Sequence, residues 1–436
     1  MLWQKDTRPE DWVTRFTVGE DYRWDALLLP YDLIASRAHA HGLHAIGILS
    51  TEELAGIEEG LDALAEQAAR GEIGVRPEDE DCHTVIEQFL TERLGEAGKK
   101  INTGRSRNDQ VLAALRLFLR DRLERLGRRT AALGGALCTL AEQHPHTLLP
   151  GYTHLQRAMP STVALWALGF GEALAADLDA LRHARAQTNV SPLGSAAGYG
   201  VPYLDLPRQQ VAARLGFQSV QTHVTAVQLS RGKIELAVVH ALVQVGATVN
   251  RLAADLVLYN TAEFGFVVLP AEYCTGSSIM PQKQNPDVLE LARAAYHRLT
   301  AEMHLLAALP ANLPSGYHRD LQLTKEAVVR AVLLADDLLT AMNHLLPGVH
   351  FREDRLRAAT TPELFATAAA LEQVQRGVPF RDAYRDAARA VDDLDAPDPQ
   401  DALDAYRADG FPGRERPDLV RAALARHDAW IAELAE

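Results

Sequence analysis

Residues 109–144 read DQVLAALRLFLRDRLERLGRRTAALGGALCTLAEQH. The run holds no proline, and Leu112, Leu115, Leu119, Leu126, Leu133 and Leu137 recur at three- and four-residue steps or their sums. That spacing lays one apolar seam along a single helix face. Four more stretches are helical by pattern: about 161–187, about 224–260, a run after Pro286 and about 320–346. In the run after Pro286, Val288, Ala292, Ala295, Leu299, Met303 and Leu306 share one side. At 1.5 Å per residue each stretch is roughly 35–60 Å long. Five such segments joined by compact loops predict an all-α chain with an elongated central five-helix bundle.

The 224–260 stretch differs from the others. Between Glu235 and Arg251 it carries no formal charge, and His240, Gln244 and Thr248 make a thin polar stripe. A helix apolar nearly all round belongs in a core. In a bundle this long, that core is expected to be shared between subunits. Two smaller helical regions flank the central residues 104–350. Residues 1–103 are expected to hold shorter helices and the acidic run Pro77-Glu78-Asp79-Glu80-Asp81, and residues 351–436 form a small C-terminal domain interrupted at Asp395–Gln400. Strand signals are few, with one short extended segment expected at 265–270.

The 436 residues carry a formal net charge of −14. This argues against a nucleic-acid partner, which favours a basic surface. The cysteines Cys82, Cys138 and Cys274 are far apart and odd in number, which argues against a disulfide framework or a zinc knuckle. Met1 to Phe16 carries both charge signs and no apolar core, unlike a signal peptide. No unbroken run of about 18 apolar residues occurs, so no membrane span is expected, and the cytoplasm is the expected compartment.

Chemistry concentrates in a few loops. Gly276-Ser277-Ser278-Ile279-Met280-Pro281-Gln282-Lys283-Gln284-Asn285-Pro286-Asp287 packs hydroxyls, a lysine and amides into a dozen residues. The chain uses arginine by habit and has six lysines, so Lys283 and Lys325 stand out as compact point charges. Asn102–Val111 places Ser106, Arg107 and Asn108 before a long helix, either as an anion site or as an ordinary N-cap. His154 follows Thr153 in Pro150–Arg157, where histidine suits proton transfer or simply sits at a helix start. Tyr317, Arg319, Gln322 and Lys325 suit carboxylates, or form a solvated first turn. Asp81 and His83, two apart, are weaker candidates. His39, His41 and His44 do not share a helix face, so a metal site there is rejected. The glycines of Gly194–Gly200 lack the strand and helix of a dinucleotide site.

Taken together, these segments resemble the fumarase/aspartase superfamily and, within it, the argininosuccinate lyases, across almost the whole chain. Gly276–Asp287 is similar to the superfamily signature. Thr103-Gly104-Arg105-Ser106-Arg107-Asn108-Asp109-Gln110 resembles the argininosuccinate lyase form of its region, and 151–156, 317–325 and 377–384 agree. Gln284 departs from a second lysine common in the superfamily. The opening after Leu2-Trp3 lacks a glycine-rich segment seen in many members.

The resemblance implies reversible elimination of argininosuccinate to arginine and fumarate, without cofactor or metal. It implies Ser277 as general base, its alkoxide held by Lys283 and loop amides, with Gly276 letting the loop close. Lys283 and Asn285 would stabilise the doubly charged aci-carboxylate. His154 would be the acid, acting through a water and oriented by Glu290. Ser106, Arg107, Asn108, Thr153, Tyr317, Gln322 and Lys325 would hold the substrate's carboxylates and amino group. The implied assembly is a homotetramer whose sites gather residues from three subunits. The alternatives are another fumarate-releasing lyase of the superfamily, acting on adenylosuccinate, aspartate or malate, and a non-catalytic crystallin-like protein.

Overall fold

The structure is a computed structural model and describes residues 10–433; Leu2-Trp3 lies outside them. The all-α expectation holds. The five long helices are Arg107–Gln143, Val163–Thr188, Lys233–Asn260, Asp287–Ala308 and Leu323–Leu345, with 37, 26, 28, 22 and 23 residues. The third starts later than the pattern predicts. A short helix, Val224–Leu229, ends at Ser230, and Gly232 turns the chain with φ +79° before Lys233. By length and composition alone, the stretch 224–260 is apolar enough to cross a membrane. In its most apolar window 56% is buried inside the protein, the environment of a core helix.

The first hundred residues also contain a long helix, Asp21–Ala45, of 25 residues with Pro30 inside it. Pro30 interrupts the sequence pattern without ending the helix. Beyond it, Thr51–Ala69 begins with a capping box: Ser50 accepts from Glu53 N while the Glu53 carboxylate accepts from Ser50 N, a reciprocal pairing that fixes a helix start.

The chain forms two compact units, each made of three separate stretches. One comprises 1–124, 181–242 and 300–333; the other comprises 125–180, 243–299 and 334–436. In the first unit, Ala35, Ala38, Ala113, Leu117, Leu193, Val211 and Phe217 join one buried core. Arg116, 2% exposed, ties this unit together by donating to Val190 O, Gln221 Oε1 and Ser230 Oγ at 2.5–2.9 Å. In the second unit, Trp166 donates to Asp255 Oδ2 at 3.0 Å, meets Phe170 and Phe351 edge-on and lies tilted against Tyr259. Arg125 and Arg129 both pair with Asp336.

The described strands are few and lie in three two-stranded sheets. The expected extended segment appears as Val267–Val268, paired with His350–Phe351. An antiparallel hairpin, Leu148–Thr153 with Gln156–Thr162, was not expected. A register shift falls between Pro150 and Tyr152. Gly151 sits there, where a Cβ would meet Met159 O at 2.8 Å, so only glycine fits without displacement.

Candidate active site

A cleft in the first unit collects most of the expected binding residues. Arg107, Asn108, Tyr317, Gln322 and Lys325 line it, together with Asp81 and His83. The start of the Arg107–Gln143 helix explains the division of labour at Ser106–Asn108. Ser106 caps the helix: its carbonyl accepts from Gln110 N, and its hydroxyl accepts from Asn108 N at 3.3 Å. Asp109 accepts from Ser106 N with one carboxylate oxygen and from Gly194 N and Ala196 N with the other, all at 2.9 Å. Ser106 is thus committed to the cap, while the Asn108 amide lines the cleft with no partner among the described residues. The Gly194–Gly200 loop is a clamp on the helix start, not a nucleotide cradle.

The acidic run is not a solvated face. Asp79, Glu80 and Asp81 are 6–9% exposed. Glu80 adopts φ +73°, a strained conformation for a residue with a side chain. Arg107 answers this run, reaching Glu80 at 2.8 Å, Asp81 at 3.0 Å and Thr84 Oγ1 at 2.8 Å. Asp81 also caps the next helix, accepting from Thr84 N at 2.8 Å. Burial raises the Asp81 pKa, but His83, Arg107 and the Thr84 bonds outweigh it and hold the carboxyl below its usual range. Arg319 donates to Thr17 O at 2.8 Å, and Gln322 donates to the same oxygen at 3.1 Å.

Lys325 is 4% exposed and pairs with Asp21 at 2.8 Å and with Asp25. Its charge is shared by two carboxylates rather than standing free. Burial is the largest influence on Asp21 and, with the neighbouring Asp25, pushes its pKa up to about 6 against the pull of Lys325.

Behind this pair, Asp25, Cys82 and His83 each bring a ligand-type atom within 4.8 Å of the others. The thiol and one ring nitrogen are already engaged. The Cys82 thiol donates to Asp25 at 3.3 Å, and His83 Nδ1 lies 2.7 Å from Asp32 Oδ2. Burial and the surrounding carboxylates push the thiol pKa well up, away from the thiolate that a metal requires. Burial alone would lower the His83 pKa; Asp32, Asp81 and Asp25 reverse this and raise it.

The second unit holds the signature loop and the hairpin. Thr275 and Asn285 exchange backbone hydrogen bonds at 3.1 and 2.8 Å, closing the loop at its neck. Asn285 Nδ2 donates to Gly276 O at 3.4 Å. Ser277 Oγ accepts from Met280 N at 3.1 Å and Ile279 N at 3.4 Å. Lys283 is exposed on the loop, and Ile279 is 83% exposed. Gly276 has neither a positive φ nor a neighbour that a Cβ would strike, so its backbone gives no reason for a glycine hinge.

His154 does not stand at a helix start. It and Leu155 form the hairpin's two-residue turn, with φ +55° and +58°, and its imidazole is exposed beside Thr153. Glu290, in the first turn of the Asp287–Ala308 helix, is paired with Arg293 at 3.9 Å and makes no hydrogen bond to His154 within the chain.

Sequence reading missed Asp21, Asp25 and Arg231 in the cleft. Arg231 lies in the turn between Leu229 and Lys233, with its guanidinium 4.9 Å from the Tyr317 ring centre. The signal available was an arginine beside a glycine just before a long helical run.

Comparison with known proteins places the chain in a family. Residues 13–300 match a protein family described as lyase. The chain is 45% identical over 430 residues to the argininosuccinate lyase of Sorangium cellulosum, covering 98% of this chain and 99% of that one. It is 42% identical to the argininosuccinate lyase of Thermotoga neapolitana, covering 88% and 96%. Among solved structures, an EDDS lyase in complex with formate superposes with a TM-score of 0.81 at 25% identity, covering 98% and 95%. A class II fumarase from Schistosoma mansoni shares the fold, with a TM-score of 0.74 at 15% identity and 87% of each chain covered. The chain belongs to the argininosuccinate lyases of the fumarase/aspartase superfamily.

Proposed function

We propose that the chain is a carbon–nitrogen lyase that reversibly eliminates argininosuccinate to L-arginine and fumarate, the closing reaction of arginine biosynthesis. Relatives matching nearly end to end at 42–45% identity support this substrate. The observation that carries the chemistry is Ser277 Oγ, which accepts from two loop amides.

The difficulty of the reaction is a proton on carbon beside a carboxylate. A serine hydroxyl is a weak base unless its alkoxide is held. Backbone N–H groups already aimed at Oγ, with Lys283 on the same loop, favour the charged form. Ser277 takes the proton, and the C–H electron pair passes through an aci-carboxylate stabilised by Lys283 and Asn285. That pair then forms the C=C bond of fumarate while the C–N bond breaks. Its electrons go to the guanidino nitrogen, which receives a proton from His154 through a water. Glu290 orients His154. Ser106 positions Asn108, and Arg107, Asn108, Thr153, Tyr317, Gln322 and Lys325 form the binding walls. The working assembly is a cytoplasmic homotetramer with sites shared between subunits, and it needs no metal or cofactor.

The test is the appearance of fumarate absorbance with argininosuccinate, run beside Ser277→Ala. The variant loses roughly 10²–10⁴-fold in turnover; near wild-type rates would remove Ser277 as base. Adenylosuccinate, aspartate and malate run in parallel, and a preference for any of them overturns the substrate assignment.

A further inference from the structure

The cations of the first-unit cleft are not equally available. Arg107 is paired with Glu80 and Asp81, Lys325 with Asp21 and Asp25, and Arg319 reaches Glu80 at 3.9 Å and the Thr17 carbonyl. Among the described residues Arg231 has no ion pair. It is 6% exposed, and its only hydrogen bond among the described residues runs from Nη2 to Leu321 O at 3.4 Å. Its Nε and Nη1 are buried without a partner among the described residues. Glu235 and Asp21 influence it electrostatically without making an ion-pair contact.

A buried guanidinium left unsatisfied is costly, and a native structure keeps one where something else completes it. Here the surroundings fix its orientation. The guanidinium lies over the Tyr317 ring, which restricts it to one plane. Gly232, whose Cβ would meet Pro310 Cγ at 3.1 Å, sets the tight turn that carries it. It also stands just before the N-terminus of the 28-residue Lys233–Asn260 helix, where the backbone adds positive potential. The cleft as a whole offers both signs of charge, with Asp21 and Asp25 lining it as well as Arg231. The succinyl part of the substrate carries two carboxylates and no cation. The arginine part ends in an α-amino acid head with one carboxylate and one ammonium, so a mixed-charge cleft fits the arginine end.

We infer that Arg231 binds the α-carboxylate at the arginine end of the substrate, through the Nε and Nη1 donors left open in this structure. This rests on the proposed reaction. Arg231 thereby selects an amino acid over an amine.

The test uses the reverse reaction, fumarate with either arginine or agmatine, which is arginine without its α-carboxylate. In the wild-type enzyme arginine is strongly preferred. Arg231→Gln raises the KM for arginine about 100-fold, leaves the KM for fumarate unchanged and reduces the arginine-over-agmatine preference by a similar factor. Arg231→Lys keeps the charge without the fork and falls between. Thermal unfolding of each variant checks that it is folded, and if Arg231→Gln does not fold, Arg231→Lys carries the comparison. An undiminished preference for arginine in a folded variant overturns the assignment, because a merely structural arginine changes both substrates alike. Wild-type enzyme that joins neither compound to fumarate overturns the proposed reaction itself, and Arg231's role with it.

Discussion

At the scale of single residues, the cleft is organised by how its charges are paired. Asp21 and Asp25 hold one ammonium between them, and that arrangement has a pH consequence. The Asp21 pKa is about 6 in the folded chain against 3.8 ordinarily. A raised carboxyl pKa means that the folded state binds the proton more tightly than the unfolded state. Its contribution to stability is therefore complete below pH 4 and is lost as pH rises toward 6. The loss is on the order of 2–3 kcal/mol. Asp21→Asn mimics the protonated form and escapes that loss. Urea denaturation at pH 4.5 and pH 7 is expected to show the variant gaining on wild type by about 2 kcal/mol at the higher pH, since part of the loss has already occurred at pH 4.5. A constant difference between the two proteins would show that Asp21 does not titrate in this window. Asp81 acts with the opposite sign, since its lowered pKa supports stability above the ordinary carboxyl range, so only the comparison with the variant isolates Asp21. Asn108, Tyr317, Gln322 and Lys325 were legible as candidates because they sit in motif-like loops. Asp21, Asp25 and Arg231 were not, because each reads as an ordinary charge in a helix or turn and acquires meaning only from neighbours distant in sequence.

At the scale of elements, the long helices were legible because apolar spacing repeats over many turns, and their ends fell within a few residues of expectation except at the start of the third, where the turn at Gly232 splits off a short helix. The hairpin was not, because its turn breaks the usual rule. A two-residue turn with positive φ at both positions favours Asn-Gly, and here it is His154-Leu155. The site thus places its candidate acid on a strained turn rather than at a quiet helix start. Leu155 is 72% exposed, so little packing holds it there. A side chain in the left-handed region costs about 1–2 kcal/mol, and glycine's extra freedom in the unfolded chain offsets about 0.5–1 kcal/mol of that. Leu155→Gly is therefore expected to stabilise the protein by roughly 0.5–1 kcal/mol, seen as a small rise in unfolding midpoint. A fall would mean that the exposed leucine packs against something outside the single chain. The Asp21–Ala45 helix shows the converse case, where Pro30 hides a helix that tertiary packing sustains.

At the scale of the whole molecule, the proposed machinery falls into two sets within one chain. Asn108, Tyr317, Gln322, Lys325 and Arg231 belong to the first compact unit; Thr153, His154, Ser277, Lys283, Asn285 and Glu290 belong to the second. Within the chain Glu290 pairs with Arg293 and not with His154, which agrees with a proton relay completed by a neighbouring subunit. The Asp287–Ala308 helix also leaves Leu291 70% and Leu305 43% exposed, apolar surface of the kind that an assembly covers. If sites are shared, two different defects need not reside in the same site. Ser277→Ala and Asn108→Ala should each be inactive as pure proteins. Dissociated together and reassembled, they should regain part of the wild-type activity, because some sites then draw an intact Ser277 from one chain and an intact Asn108 from another. The recovered activity should sediment with a mass about four times the 47.8 kDa of one chain. A mixture no more active than its parents would mean that each chain completes its own site.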